Sequence, residues 1–203
     1  YKARETSLND IPMVIGRTGW SGELSYELYL QNRKLGNKLF EIVHEAAKEF
    51  NASVIAPNTI RTIEGGLLSY QSDFGREHNP YTIGLDRLVD VDQDIDFIGK
   101  EALKKIKEDG ISEKLVGVEI DGDPIQKAPE NFWPVFDVNS NKIGRLSRCF
   151  YSPRLKKNIG LAIIDMKFTE PGTSLVIESP NAHLNAQVHE LPWFPAEKST
   201  NLD

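Results

Sequence analysis

The chain has 203 residues, enough for one large or two small domains with a sizeable core. Apolar residues make up 39% and charged residues 27%, with no run near the ~18 apolar residues of a membrane span, which argues against a disordered or membrane-inserted chain. Lys and Arg number 24 against 30 Asp and Glu, a formal net charge of −6 with no basic tract to hold a phosphate backbone, so nucleic acid is not an expected partner.

In chain order, a short apolar run over Ile11 to Ile15 precedes Gly16, Gly19 and Gly22, and then Leu24, Tyr26, Leu28 and Leu30 alternate with Glu23, Ser25, Glu27 and Tyr29. That period of two predicts a hairpin with a longer loop, its second strand apolar on one face and carrying two carboxylates and a phenol on the other. Leu35, Leu39, Ile42, Val43, Ala46, Ala47 and Phe50 fall at helical spacing and predict a helix of about 15 residues ended by Asn51. A brief strand is expected over Ser53 to Ala56. Pro57, Asn58 and Thr59 read as the start of a second helix with Ile60, Ile63, Leu67 and Leu68 as its buried stripe, and Gly65-Gly66 inside it predicts that a neighbour or a ligand comes close to the backbone.

Ile98 to Ile106 reads as a short helix that Gly110 terminates. Six short segments follow: Leu115 to Ile120, Val135 to Val138, Ile143 to Phe150, Ile159 to Asp165, Leu175 to Glu178 and Leu184 to Leu191. They are separated by Asp-Gly, Asn-Ser-Asn, Pro-Gly and Ser-Pro-Asn turn signals. Such spacing predicts an antiparallel β-barrel or sandwich. The fold class is therefore α+β, with three parts: residues 1–97, a connecting helix over 98–112, and a β domain over 113–203.

Most motifs with chemical potential have a plain structural explanation. Asp90, Asp92, Asp94 and Asp96, with Glu101, imitate a calcium loop, but Ile95 stands where its sharp turn needs Gly, so a charged connector is expected. His44, His78, His183 and His189 are too scattered for a metal cluster, and no metal is expected. The single Cys149 leaves no internal disulfide and reads as a small buried hydrophobe. With no signal peptide or disulfide framework, the cytoplasm is the expected compartment. There remains Arg17-Thr18-Gly19-Trp20-Ser21-Gly22-Glu23-Leu24-Ser25-Tyr26-Glu27-Leu28-Tyr29. This is a glycine-framed loop presenting Trp20, followed by a strand whose same-face residues recur about every 6 to 7 Å. A carboxylate beside aromatic rings suits a flat heterocycle with adjacent N–H donors, and the rings also suit a cationic methyl donor.

This segment resembles the G-Y-[ST]-G-E-x-G-[YF]-E signature of the folate-dependent aminomethyltransferase family, typified by the T protein of the glycine cleavage system. Further along, Glu64-Gly65-Gly66-Leu67-Leu68-Ser69-Tyr70 resembles the family's E-A-G-L-x-L-Y, and Asn79-Pro80-Tyr81-Thr82-Ile83-Gly84-Leu85 its N-P-x-E-x-G-L. Asp96-Phe97-Ile98-Gly99-Lys100-Glu101-Ala102-Leu103 is similar to D-F-I-G-K-E-A-L. The stretch from Tyr151-Ser152-Pro153 to Ala162 resembles Y-S-P-x-L-x-x-N-I-A-x-A, and Pro171-Gly172-Thr173 follows as P-G-T.

The resemblance implies tetrahydrofolate as cofactor. Glu27 would bind the pterin edge, with Glu23 as the weaker candidate, while Trp20 and Tyr29 would wall the site and contact both folate and substrate. It also implies an amino-terminal half of the same protein ahead of Tyr1. The family's catalytic aspartate would lie there, so no catalytic residue is expected in this chain. Two departures bear on the substrate. Asn58 falls where aminomethyltransferases carry an Arg, and Trp20 and Leu24-Ser25 replace the usual Tyr and Asp-Gly. These resemble the branch that demethylates dimethylsulfoniopropionate, a small sulfonium substrate, to give 5-methyltetrahydrofolate and 3-(methylthio)propionate. The alternatives are glycine-cleavage aminomethyl transfer, which needs a lipoyl carrier protein, and a folate-binding module without catalysis.

Overall fold

The computed structural model describes residues 2–20, 22–56 and 58–195; Ser21 and Pro57 of the motifs above, and the expected third part from 196 onward, lie outside them. The chain divides into two compact units, one of residues up to Thr59 together with Pro195, the other Ile60–Phe194.

The first unit is a three-stranded antiparallel sheet of β1 (Ala3–Leu8), β2 (Ile11–Gly16) and β3 (Glu27–Leu30), in that order, covered by helix α1 (Gly36–Ala47). Sequence periodicity misses β1, whose six residues are all exposed and do not alternate. It forms because Asn9 and Asp10 take left-handed φ of 47° and 62°, the two-residue hairpin turn that these side chains tolerate. The second strand of the expected hairpin starts at Glu27 rather than Glu23. Its partner β2 ends at Gly16, directly opposite Glu27, so Glu23 has no strand residue to pair with and lies in a bend. Single 3-10 turns flank α1, and Asn51 ends the last of them at φ 54°. Ile11, Met13 and Leu39 are buried with Leu28, Leu30, Leu35 and Ile42 around them, whereas Val43 and Phe50, expected in the stripe, are exposed because this core ends at Ile42. The strand expected over Ser53 to Ala56 does not form. Val54 and Ile55 stand exposed with no ladder, since an apolar run becomes a strand only where a neighbour pairs with it.

Helix α2 (Thr59–Glu64) stops at the glycine pair instead of running through it to Leu68. Gly66 adopts φ 62°, its N–H donates to the Ile63 carbonyl at 3.0 Å, and the Leu67 N–H reaches the Thr62 carbonyl at 2.7 Å, the paired bonds of a Schellman ending. The expected close neighbour is present. The N–H of Trp193 donates to the Glu64 carbonyl at 3.0 Å, and a Cβ on Gly66 would meet Pro192 at 3.6 Å. Helix α3 (Lys100–Asp109) ends at Gly110, φ 82°. In the acidic connector before it, Lys107 donates to Asp92 at 2.8 Å and holds that carboxyl below its usual range, while the Lys100 ammonium donates to the backbone carbonyls of Gln93 and Ile95.

All six expected β segments form strands: β4 (Glu113–Ile120), β5 (Trp133–Phe136), β6 (Lys142–Ser152), β7 (Lys157–Asp165), β8 (Ser174–Glu178) and β9 (His183–His189). They close an antiparallel barrel in the order β4-β7-β6-β5-β8-β9. Val118, Val135, Leu146, Cys149, Ile164, Leu175 and Ile177 fill it. Burial pushes the Cys149 thiol up to about 12, so this residue behaves as a hydrophobe. On the outer face of β4 and β7, Leu115, Ile159, Leu161 and Ile163 pack with Ile63 of α2.

The register of β6 against β7 shifts between Leu146 and Arg148. This bulge lets Leu146 and Cys149, three positions apart, both enter the barrel, while Ser147 and Arg148 both reach out of it toward the chain after α2.

Candidate functional site

The loop between β2 and β3 packs closely against two glycines. A Cβ on Gly19 would fall 1.7 Å from the Ser25 hydroxyl oxygen, and one on Gly16 would meet the Tyr29 ring at 3.2 Å and the Thr18 hydroxyl at 3.3 Å. The Ser25 hydroxyl donates to the Thr18 carbonyl at 2.9 Å, tying the loop across its own neck. Thr18 is thereby brought beside Glu27.

Glu27 and Tyr29 lie together on the outer face of β3, as the alternation predicts, with Leu28 and Leu30 turned to the core. The Glu27 carboxylate accepts two hydrogen bonds on one oxygen. Tyr29 Oη donates to Oε2 at 2.9 Å, and Thr18 Oγ1 donates to the same atom. Among the described residues, Oε1 accepts none. The Thr18 bond first and the Tyr29 bond second hold the carboxyl below its ordinary range, so Glu27 is an anion at neutral pH. Tyr29 is 52% exposed, and Trp20 stands at the loop tip, 61% exposed. Thr18, not Trp20, shares the carboxylate with Tyr29. Sequence reasoning missed Thr18; its signal was a hydroxyl two residues beyond the end of β2, opposite the start of β3.

A second polar cluster lies wholly within the second unit. Asp73 is completely buried, and four donors saturate its carboxylate. Arg148 Nε and Ser147 Oγ donate to Oδ1 at 2.7 and 2.9 Å, and Arg148 Nη2 and the Ser69 N–H donate to Oδ2 at 2.6 and 2.7 Å. Arg148 also donates to Thr62 Oγ1 and to the Leu67 carbonyl, both at 2.9 Å. Glu64, 2% exposed, accepts from Ser152 Oγ at 2.6 Å, with Arg61 and Arg154 at 3.4 and 3.6 Å. The motif starting at Glu64 and the motif starting at Tyr151 thus meet through buried hydrogen bonds.

Comparison with known proteins gives two family matches along the chain. The GCVT N-terminal domain family matches residues 1–93, and the glycine cleavage T-protein C-terminal barrel domain family matches residues 113–195. An aminomethyltransferase of Geobacillus sp. (strain WCH70) is 36% identical over 198 residues, covering 96% of this chain and 52% of that protein. The dimethylsulfoniopropionate demethylase of Ruegeria pomeroyi is 28% identical over 195 residues, covering 95% of this chain and 52% of that protein. The crystal structure of the glycine cleavage system aminomethyltransferase T from Bartonella henselae shares the fold, with a TM-score of 0.72 at 22% identity over 91% of this chain and 50% of that one. The chain spans about half the length of the curated relatives it matches. Residues 1–93 thus belong to the GCVT N-terminal domain family and residues 113–195 to the glycine cleavage T-protein C-terminal barrel domain family.

Proposed function

We propose that this chain is part of a tetrahydrofolate-dependent one-carbon transferase in which Glu27 receives the pterin edge. The observation that carries the reading is the Glu27 carboxylate itself. It is ionised, its Oε2 is fixed by Thr18 and Tyr29, and among the described residues its Oε1 accepts no hydrogen bond, with the half-exposed Tyr29 ring on the same strand face. Such an oxygen fits the N–H donors of an aminopyrimidinone ring, and the exposed rings of Tyr29 and Trp20 offer flat surfaces to it. When bound, the folate supplies the nitrogen that accepts the carbon unit; the residues here bind and orient it. The amino-terminal half of the longer relatives' architecture would complete the cleft and supply the acid that the family resemblance implies.

Two donors divide the support. Overall identity leans to the aminomethyltransferases, at 36% against 28% for the demethylase. The sulfonium methyl donor is favoured by Asn58 in place of an Arg and by Trp20, a ring suited to a cation. The polypeptide at its full native length, assayed with dimethylsulfoniopropionate and separately with aminomethylated lipoyl carrier protein, distinguishes them, and turnover of neither leaves folate binding alone. Glu27→Gln should weaken tetrahydrofolate binding about tenfold or more, because a ligand N–H then faces an amide in place of an anion. Unchanged affinity would remove Glu27 from the site.

A further inference from the structure

We propose that Thr18 is a positioning residue of the folate site, directing the open oxygen of Glu27 toward its ligand by anchoring the other. The inference rests on the reading of Glu27 given above and goes beyond it. Thr18 touches no ligand in this scheme, and its hydroxyl acts through Glu27.

Three independent observations converge on it. First, both donors to Glu27 fall on Oε2, so the carboxylate is held by one oxygen while its other accepts no hydrogen bond among the described residues. A glutamate with three free side-chain torsions on an exposed strand otherwise samples many rotamers, and each immobilised one costs binding free energy when a ligand demands it. Second, the loop is built around the placement of Thr18. Ser25 Oγ holds the Thr18 carbonyl at 2.9 Å, and Gly19 makes room for Ser25 where any side chain would collide. Third, Gly16 leaves space for the Tyr29 ring and the Thr18 hydroxyl together, with an added Cβ at 3.2 and 3.3 Å from them. A glutamate is already ionised at neutral pH without either donor; the two donors, one from each side of the hairpin, act on its direction.

The experiment measures tetrahydrofolate affinity against pH in the full-length polypeptide for wild type, Thr18→Val, Thr18→Ser, Glu27→Gln and the Thr18→Val/Glu27→Gln double variant. Thr18→Val should weaken binding about three- to tenfold, the range for one lost hydrogen bond to a charged group at an open site. It should also move the acid limb of the binding profile to higher pH, because Glu27 loses the larger of its two anion-stabilising bonds. Thr18→Ser should restore both, and in the Glu27→Gln background Thr18→Val should add nothing. If Glu27→Gln binds poorly while Thr18→Val binds as wild type with an unmoved acid limb, the positioning role is overturned and the reading of Glu27 stands. If Glu27→Gln itself binds as wild type, the reading beneath the proposal falls and the proposal with it. An equal loss from Thr18→Val with and without Glu27→Gln would assign Thr18 to loop structure alone.

Discussion

Asp73 and Glu27 are both carboxylates accepting side-chain hydrogen bonds, yet they do opposite work. Asp73 is fully buried and its two oxygens take four donors; Glu27 is exposed, and both of its donors crowd one oxygen. Saturation marks a group that holds the fold, because nothing is left for a ligand to use. An anchored but half-satisfied anion marks a group that is available. Charge alone does not separate binding from architecture; burial and the count of acceptor positions left open do.

The comparison can be broken most sharply at Arg148. Its side chain is 12% exposed and its guanidinium bidentate on Asp73, so Arg148→Ala strands a buried carboxylate and should cost about 3 to 5 kcal/mol in urea unfolding. Arg148→Lys should recover little of this, since an ammonium cannot make the two-pronged contact while also reaching Thr62 and Leu67. A loss below about 1 kcal/mol would mean that the segment after α2 is held by apolar packing alone.

A smaller effect is expected from Gly144→Ala in β6. The new Cβ would sit 2.1 Å from the Ile163 carbonyl oxygen and 2.8 Å from Ile164 Cα, both backbone atoms of β7 that cannot swing aside. A cost of about 1 to 3 kcal/mol follows from forcing the strands apart. Wild-type stability would show that the β6–β7 ladder yields more easily than a closed barrel should.

Acid sensitivity gives a third, weaker test. Asp137 sits in the turn between β5 and β6, where it accepts from the Asn141 side chain at 2.9 Å and from the Asn141 and Asn139 backbone N–H groups at 2.8 and 2.9 Å. The Asn141 bonds chiefly hold its carboxyl below the ordinary range. A lowered folded value means that the stabilisation is present above the unfolded carboxylate range and is lost as pH falls through the folded value. Wild type should therefore lose urea resistance across that acid window more steeply than Asp137→Asn, and identical slopes would refute the link. The smallest expected effect on folding is at the other pole of the comparison. Glu27→Ala should leave the urea midpoint where it was while folate binding falls, and a destabilised variant would place Glu27 with the architecture beside Asp73.

Periodicity located the barrel well and the first unit less well, and the difference has a physical cause. Strands of a closed barrel have a partner on both sides and a filled interior, so each alternating or continuous apolar run must become a strand. In the open three-stranded sheet, β1 shows no pattern because none of its residues is buried, and Ser53 to Ala56 shows a pattern that finds no partner. Glu27 and Tyr29 were legible as one face of a strand. Thr18 was not, because its role depends on how a ten-residue loop folds back across the neck of its own hairpin.

What the sequence determined by itself was the local chemistry: which segments could be strands, where glycine and asparagine would end helices, and that an acidic residue and aromatic rings would share one strand face. The tertiary structure decided which of many polar residues pair. Thr62, Asp73 and Arg148 are separated by up to 86 positions and meet only because a bulge in β6 turns two successive side chains outward. Hydrogen-bond partnership across that distance is set by register and packing, which no short sequence window contains, whereas turn and strand preference is set by the residues themselves.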